Sequence, residues 1–239
     1  MRILITNDDG IESPVLPRLI RWAEGLGEVV TVAPKVEQSG KSHAIDFTHP
    51  LEIKKVTLDG DISAYSMDST PADCVRFAVL GLKEKFDLVI SGINRGFNLG
   101  KDIVYSGTIG AIFEAARLGI KGIAISTDPR SFDFAVDHLD RVYSFIKERG
   151  LFLENDLYNL NIPIGNGEIK VTRQGGIYFT DAFIYKGDDM YEQAGEMVKS
   201  DSKDFTLDTD CVRNGYISIT PLLSEKTNVE VFKKLNNFE

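Results

Sequence analysis

Short apolar runs alternate along the chain with stretches in which apolar residues recur every three or four positions. That alternation predicts strand–helix–strand units. Residues 2–7 (RILITN) form a continuous run suited to a strand buried on both faces. Ser13 and Pro14 fit an N-cap and a first helical position, and Val15, Leu16, Leu19, Ile20, Ala23 and Leu26 then share one helical face until Gly27 stops it. Residues 28–33 (EVVTVA) read as a second strand closed by Pro34, and 35–42 (KVEQSGKS) as a polar loop. Residues 43–48, 51–57 and 62–66 read as short antiparallel additions. Thr70-Pro71-Ala72-Asp73 combines a hydroxyl cap, a proline and an early acid, and predicts a helix to about Leu82. Residues 86–91 (FDLVIS) make another buried strand. Residues 92–107, with four glycines, read as one structureless loop, 108–118 as a helix, 122–126 as a strand, and 133–149 as an amphipathic helix ended by Gly150.

The remainder reads differently. Residues 180–210 are polar, acidic and weakly periodic, which suggests a projecting hairpin or arm; 216–220 predict a strand and 227–236 a last helix. Strands that alternate with helices and are themselves nearly all apolar argue for an α/β fold with a mostly parallel sheet covered on both faces. The 239 residues suit a single domain, with 1–179 as core and 180–239 as arm, returning strand and final helix.

Composition narrows the functions on offer. At 43% hydrophobic and 26% charged the chain has an ordinary globular make-up, and its net charge of −9 disfavours extended nucleic acid as a partner. A small phosphate ester stays compatible, because a bound cation inverts the local potential. Cys74 and Cys211 form neither a metal-type pair nor a disulfide framework and are expected to be reduced thiols. No apolar run reaches the length of a membrane span and no leader-type segment opens the chain, so a cytoplasmic protein without a membrane partner is expected.

In open α/β sheets ligands sit beyond the carboxyl ends of the strands. Three polar segments fall there: Asn7-Asp8-Asp9-Gly10, Gln38-Ser39-Gly40, and the run from Gly92 to Gly100 with Asn94 and Asn98. Two adjacent carboxylates at a buried strand end repel, and a divalent cation resolves the cost; Asp-Asp-Gly is equally ordinary turn chemistry. Asn94 and Asn98 offer neutral oxygens and amide donors among glycines that admit a close ligand. Ser106, Gly107 and Thr108 open a helix, where N–H groups attract anions, although simple capping explains the same residues. His43, His49 and His138 show no metal spacing, and Lys41 is an ordinary solvated lysine unless an anion lies nearby.

RILITNDDGIESPVL, APKVEQSG, STPADCV and SGINRGFNLGKDIVYSGTIGAIFEA together resemble the SurE family of 5'/3'-nucleotidases; the resemblance extends through RLGIKGIAIS and then weakens, with TRQGG and NGYISITPL fitting it as well. The resemblance implies a Rossmann-like three-layer core and a C-terminal arm that joins subunits into a homodimer or homotetramer. It implies one divalent cation (Mg2+, Mn2+ or Co2+) on Asp8, Asp9, Ser39 and Asn94, and hydrolysis of nucleoside 5'- and 3'-monophosphates and of short polyphosphate. Asp8, Asn94 and Ser106 would carry the catalytic roles, and Asn98, Ser106, Gly107 and Thr108 would hold the phosphate. Water or Asp8 itself remains open as the nucleophile. Phe97 stands where the family commonly has proline, frees the loop, and offers a stacking face. A dinucleotide-dependent oxidoreductase would need G-x-G-x-x-G where Asn-Asp-Asp-Gly stands. A dehalogenase-like phosphatase would want its acids one residue apart. A non-catalytic nucleotide-binding regulatory module is the remaining alternative.

Overall fold

A computed structural model of the chain describes residues 1–236. Its centre is a nine-stranded sheet. The strands are β1 (Arg2–Thr6), β2 (Glu28–Pro34), β3 (Ile53–Leu58), β4 (Ile62–Met67), β5 (Leu88–Arg95), β6 (Lys121–Thr127), β7 (Leu157–Ile162), β8 (Ile169–Val171) and β11 (Ile217–Leu222), in the order β3-β4-β2-β1-β5-β6-β7-β11-β8. β4, β2, β1, β5, β6 and β7 run parallel, while β3 and β11 pair antiparallel to β4 and β7. The remaining strands, β9 (Ala182–Gly187) and β10 (Met190–Ala194), form a separate hairpin whose residues are largely exposed. The expected α/β architecture with a mostly parallel sheet is therefore what the chain adopts.

Period-two side-chain placement makes the three layers. In β1, Ile3 and Ile5 face one core with Leu16, Leu19 and Ile20 of α1 (Leu16–Glu24), while Leu4 faces the other core with Val75 of α2 (Pro71–Arg76) and Ala111 of α3 (Gly107–Arg117). The first core is completed by Leu139, Val142 and Ile146 of α4 (Asp133–Glu148). Ile3, Leu4 and Ile5 are fully buried, and each such side chain contributes about 1.5–3 kcal/mol by burial.

Local structure departs from the sequence reading in several places. α1 begins at Leu16 with Val15 as its cap residue and Pro17 near its start; Ser13 and Pro14 instead make the turn before it, with the Leu16 N–H donating to the Ser13 carbonyl at 3.0 Å. Residues 43–48 form no strand. α2 is capped as expected, the Thr70 hydroxyl accepting from Asp73 N–H at 3.2 Å, but it continues into a π-turn, Phe77–Gly81. The span 92–107 is not structureless: β5 runs through Asn94 to Arg95, its register with β6 shifting between Ser91 and Asn94, and a 3-10 turn covers Gly100–Tyr105. Four elements lay outside the sequence reading: α5 (Leu151–Glu154), β7, β8 and the helix Asp208–Arg213. α6 (Asp208–Arg213) follows the hairpin, and α7 (Val229–Leu235) ends the described chain. Both cysteines are free and buried, and among the described residues no helix is long and apolar enough to cross a membrane.

Candidate active site

β1 is flanked by β2 on one side and β5 on the other. Successive crossovers leave it in opposite directions, which opens a crevice at its carboxyl end. Asp8 and Asp9 follow β1 there. Asn7 braces their turn through paired bonds with Gly10, 2.9 Å from Nδ2 to the carbonyl and 3.1 Å from Gly10 N–H to Oδ1. The loop after β2 joins them through Gln38 N–H, which donates to the Asp8 carbonyl at 2.7 Å. Asn94, on the last part of β5, completes the floor.

The Ser39 loop is held by the Gly100–Tyr105 turn and by α3. Ser42 donates its N–H to the Tyr105 carbonyl at 2.9 Å and its hydroxyl to the Val104 carbonyl at 2.7 Å. Gly110 permits this contact, since a Cβ there would run into the Ser42 carbonyl. His43 Nε2 lies 2.8 Å from Glu114, a carboxylate buried in α3 that also meets Arg76 at 3.1 Å and Arg117 at 2.8 Å. Burial alone would raise the Glu114 pKa, but the bonds from His43, Arg117 and Arg76 outweigh it and hold it at about 2.

These elements enclose a cleft of about 340 Å3 whose wall includes Asp8, Ser39, Asn94, Asn98 and Ser106. Five of the eight residues singled out in the sequence therefore meet in one space. Asp9, Gly107 and Thr108 adjoin it in sequence without lining it. Thr108 is fully buried, and it donates its hydroxyl to Asp8 Oδ1 at 2.7 Å and its N–H to Asp8 Oδ2 at 3.1 Å. Its place is thus behind the carboxylate, which it orients, rather than in the wall that a phosphate would touch. Gly107 matters by its lack of a side chain: a Cβ would come to 3.1 Å from that of Asp8, so glycine lets the helix start approach the acid. The Asn98 amide also has partners, donating to Ser126 Oγ at 2.9 Å and to Thr108 Oγ1 at 3.4 Å, while its backbone carbonyl accepts from Asn159 and Asn161 at 2.8 Å each. Ser106 caps α3 by accepting from Ile109 N–H at 3.1 Å, which leaves its own O–H proton for a ligand.

The electrostatics carry the expected strain. Asp8 is only 5% exposed. Its pKa is raised, chiefly by burial, against the lowering effect of the Thr108 bonds, with Glu37 adding repulsion. Asp9 is pushed up to about 6 by burial and by the Asp8 charge, although Arg95 N–H donates to its Oδ2 at 3.1 Å. Ser39 donates to Glu37 at 2.5 Å. Asn94 donates Nδ2 to the Gly96 carbonyl at 2.8 Å, which leaves Oδ1 as the atom available to a cation. Among the described residues no three His, Cys, Asp or Glu side chains are grouped to hold a metal. The donor set here is instead two carboxylates with the neutral oxygens of Ser39 and Asn94. Hard oxygens and an uncompensated pair of acids fit a divalent cation.

Several cleft residues carried no role in the sequence reading: Arg95, Asp102, Phe179 and Asp181. Glu37 also acts on both acids, and its position two residues before Ser39 was the available signal. Phe179 and Asp181 had none, because they are distant in sequence and are brought in by Asp102, whose Oδ2 accepts from Tyr178 N–H at 2.9 Å and Phe179 N–H at 2.8 Å.

The family model described as Survival protein SurE matches residues 3–181, which include every residue of the acid pair, the Ser39 loop and the Asn94–Thr108 segment. The chain belongs to the SurE family. The curated relatives agree along their whole length. The 5'-nucleotidase SurE of Thermoanaerobacter sp. (strain X514) is 37% identical over 254 residues, covering 100% of this chain and 98% of the relative. That of Herpetosiphon aurantiacus is 39% identical over 250 residues, covering 99% and 97%. The crystal structure of the SurE protein from Aquifex aeolicus superposes with a TM-score of 0.82 at 36% identity, covering 99% of each chain. The SurE resemblance noted from the sequence motifs thus extends across the core, the hairpin and the returning strand.

Proposed function

We propose that this SurE-family chain is a divalent-cation-dependent nucleotidase that releases phosphate from nucleoside 5'- and 3'-monophosphates and from short polyphosphate. The observation that carries the reading is Asp8: a buried carboxylate clamped by the first turn of α3, at the edge of a cleft that also presents Ser39, Asn94 and Ser106. Curated relatives matching along the full chain bear the name 5'-nucleotidase SurE.

Asp8, Asp9, Ser39 and Asn94 would hold one cation, Mg2+, Mn2+ or Co2+. Bound there, it supplies Lewis-acid polarisation of phosphate oxygens and acidifies water. The chain's own groups do the rest. Thr108 fixes the Asp8 rotamer so that its remaining lone pairs face the cleft. Ser106 donates its hydroxyl proton to a phosphate oxygen, while the Arg95 guanidinium is engaged with the Pro129 carbonyl at 3.0 Å and the Phe132 ring. The proton partners of Asn98 make it a brace that ties the cleft wall to Ser126 and Thr108. Water is the nucleophile in this reading, because both Asp8 oxygens already accept hydrogen bonds from Thr108. Water adds to phosphorus, the ester P–O bond breaks, and the nucleoside oxygen leaves with a proton.

The exposed hairpin, with Phe183, Ile184, Tyr185, Met190 and Tyr191 at its surface, is proposed to join subunits into a homodimer or homotetramer.

The test of the activity is phosphate release from a panel of 5'- and 3'-nucleotides and polyphosphate, with each metal against a chelated control. Asp8→Asn is expected to lose at least about 100-fold, roughly 3 kcal/mol of transition-state stabilisation. Activity within tenfold of the parent, or indifferent to chelation, overturns the reading.

A further inference from the structure

Beside the phosphate cleft lies a second cavity of about 570 Å3, and the two share Gly96, Phe97 and Phe179 as a common wall. Its chemistry differs from that of the cleft. Phe97, Tyr178, Phe179 and Met197 give it aromatic and thioether surface, and two guanidinium groups border it. Those two are not equivalent. Arg130 is committed to Asp128 through bonds of 2.7 Å and 2.6 Å. Arg213 rests with its guanidinium carbon 4.8 Å from the Tyr178 ring centroid and makes one long contact, 3.5 Å from Nη1 to Asp210 Oδ1. Its Nη2 is buried with no hydrogen-bond partner among the described residues. Such a group is costly to leave unsatisfied, so the donor capacity of Arg213 is the unexplained feature of this cavity.

We propose that the second cavity receives the nucleobase of the substrate, and that Arg213 makes it select guanine and hypoxanthine over adenine. The proposal rests on the nucleotidase reading for the phosphate end, and adds the base-recognition subsite to it. With the phosphate beside Asp8 and Ser106, the sugar crosses the shared wall and the planar base enters between Phe97 and Phe179. Aromatic faces bind any base by stacking and do not discriminate. Discrimination comes from Arg213. A guanidinium carries donors only, in a planar fork. Guanine and hypoxanthine present O6 and N7 as neighbouring acceptors that match the fork, whereas adenine places an amino donor at position six. Turning the fork away from its long Asp210 contact would bring the buried Nη2 out with Nη1 so that both N–H groups meet the base edge. The cavity volume lies within the range of small-molecule sites.

The experiment is calorimetric titration of the cation-loaded full chain with guanosine and with adenosine, which need no turnover. Guanosine is expected to bind about tenfold tighter. Arg213→Met keeps the stem over Tyr178 while removing the donors, and is expected to bring the two nucleosides within twofold of each other. Phe97→Ala is expected to weaken both about fivefold and to leave their ratio alone; it serves as the second probe if the Arg213 variant folds poorly. Equal binding of the two nucleosides by the parent overturns the proposal, as does a guanosine preference that survives Arg213→Met. Failure of the nucleotidase reading shows separately, as no phosphate released from GMP or AMP by a chain that still prefers guanosine.

Discussion

Asp9→Asn tests the electrostatic reasoning on which the cation site depends. In the unloaded chain, Asp9 sits beside a buried Asp8 and its pKa is raised to about 6. A carboxyl raised this way binds its proton more tightly in the folded chain than in the unfolded one. Its contribution to stability is therefore full below about pH 4 and falls as the pH rises through about 6. The rise of about two pKa units corresponds to roughly 3 kcal/mol of penalty above pH 6. Asp9 keeps partial contact with water, and screening reduces this to about 1–2 kcal/mol. Asparagine removes the charge and keeps an oxygen to accept from Arg95 N–H. In chelator at pH 8, the Asp9→Asn chain is expected to melt about 2–8 °C above the parent, taking roughly 2–4 °C per kcal/mol for a chain of this size. At pH 4.5 the gap should shrink toward zero, because the parent acid is then mostly protonated. Added Mn2+ at pH 8 should reverse the order by stabilising the parent far more than the variant. Scanning calorimetry reads all three. A variant no more stable than the parent in chelator at pH 8, or a gap of equal size at pH 4.5, refutes the claim that the two acids repel at close quarters.

Thr108→Val removes the hydroxyl that fixes Asp8 Oδ1 and is expected to cost about 1–3 kcal/mol of stability, with at least a tenfold fall in kcat, measured by melting and by phosphate release. Glu114 has its pKa depressed to about 2, so its contribution is present above the ordinary carboxylate range and is lost as pH falls from about 4.5 toward 2; Glu114→Gln should be less stable at pH 7 by about 2–3 kcal/mol and should show a shallower acid limb in pH-dependent denaturation. Tyr185→Lys with Tyr191→Lys, paired rings with centroids 5.1 Å apart on the exposed hairpin, should shift the assembly toward monomer in analytical ultracentrifugation without lowering the melting temperature of the core.

The chemistry of the acid pair was legible in the residues themselves. Asp8 and Asp9 are adjacent in sequence and follow an apolar strand, so any fold that buries β1 brings two carboxylates to its end. The parallel sheet was equally local in origin, because continuous apolar runs separated by helical periodicity have few other ways to bury themselves. Tertiary structure decided what no local pattern encodes. Thr108 reads as a phosphate-binding hydroxyl from its place at a helix start, yet the approach of α3 to β1 turns it onto Asp8. Asn98 reads as a ligand group, yet the neighbouring strands β6 and β7 bring Ser126, Asn159 and Asn161 against it. β7 escaped notice because its asparagines interrupt the apolar alternation, and those same asparagines are buried to hold the loop. Arg213, Tyr178 and Phe97 meet around one cavity although they are far apart along the chain. Side-chain type sets which contacts are chemically available, but partner choice is fixed by distances that exist only once the strands are in order.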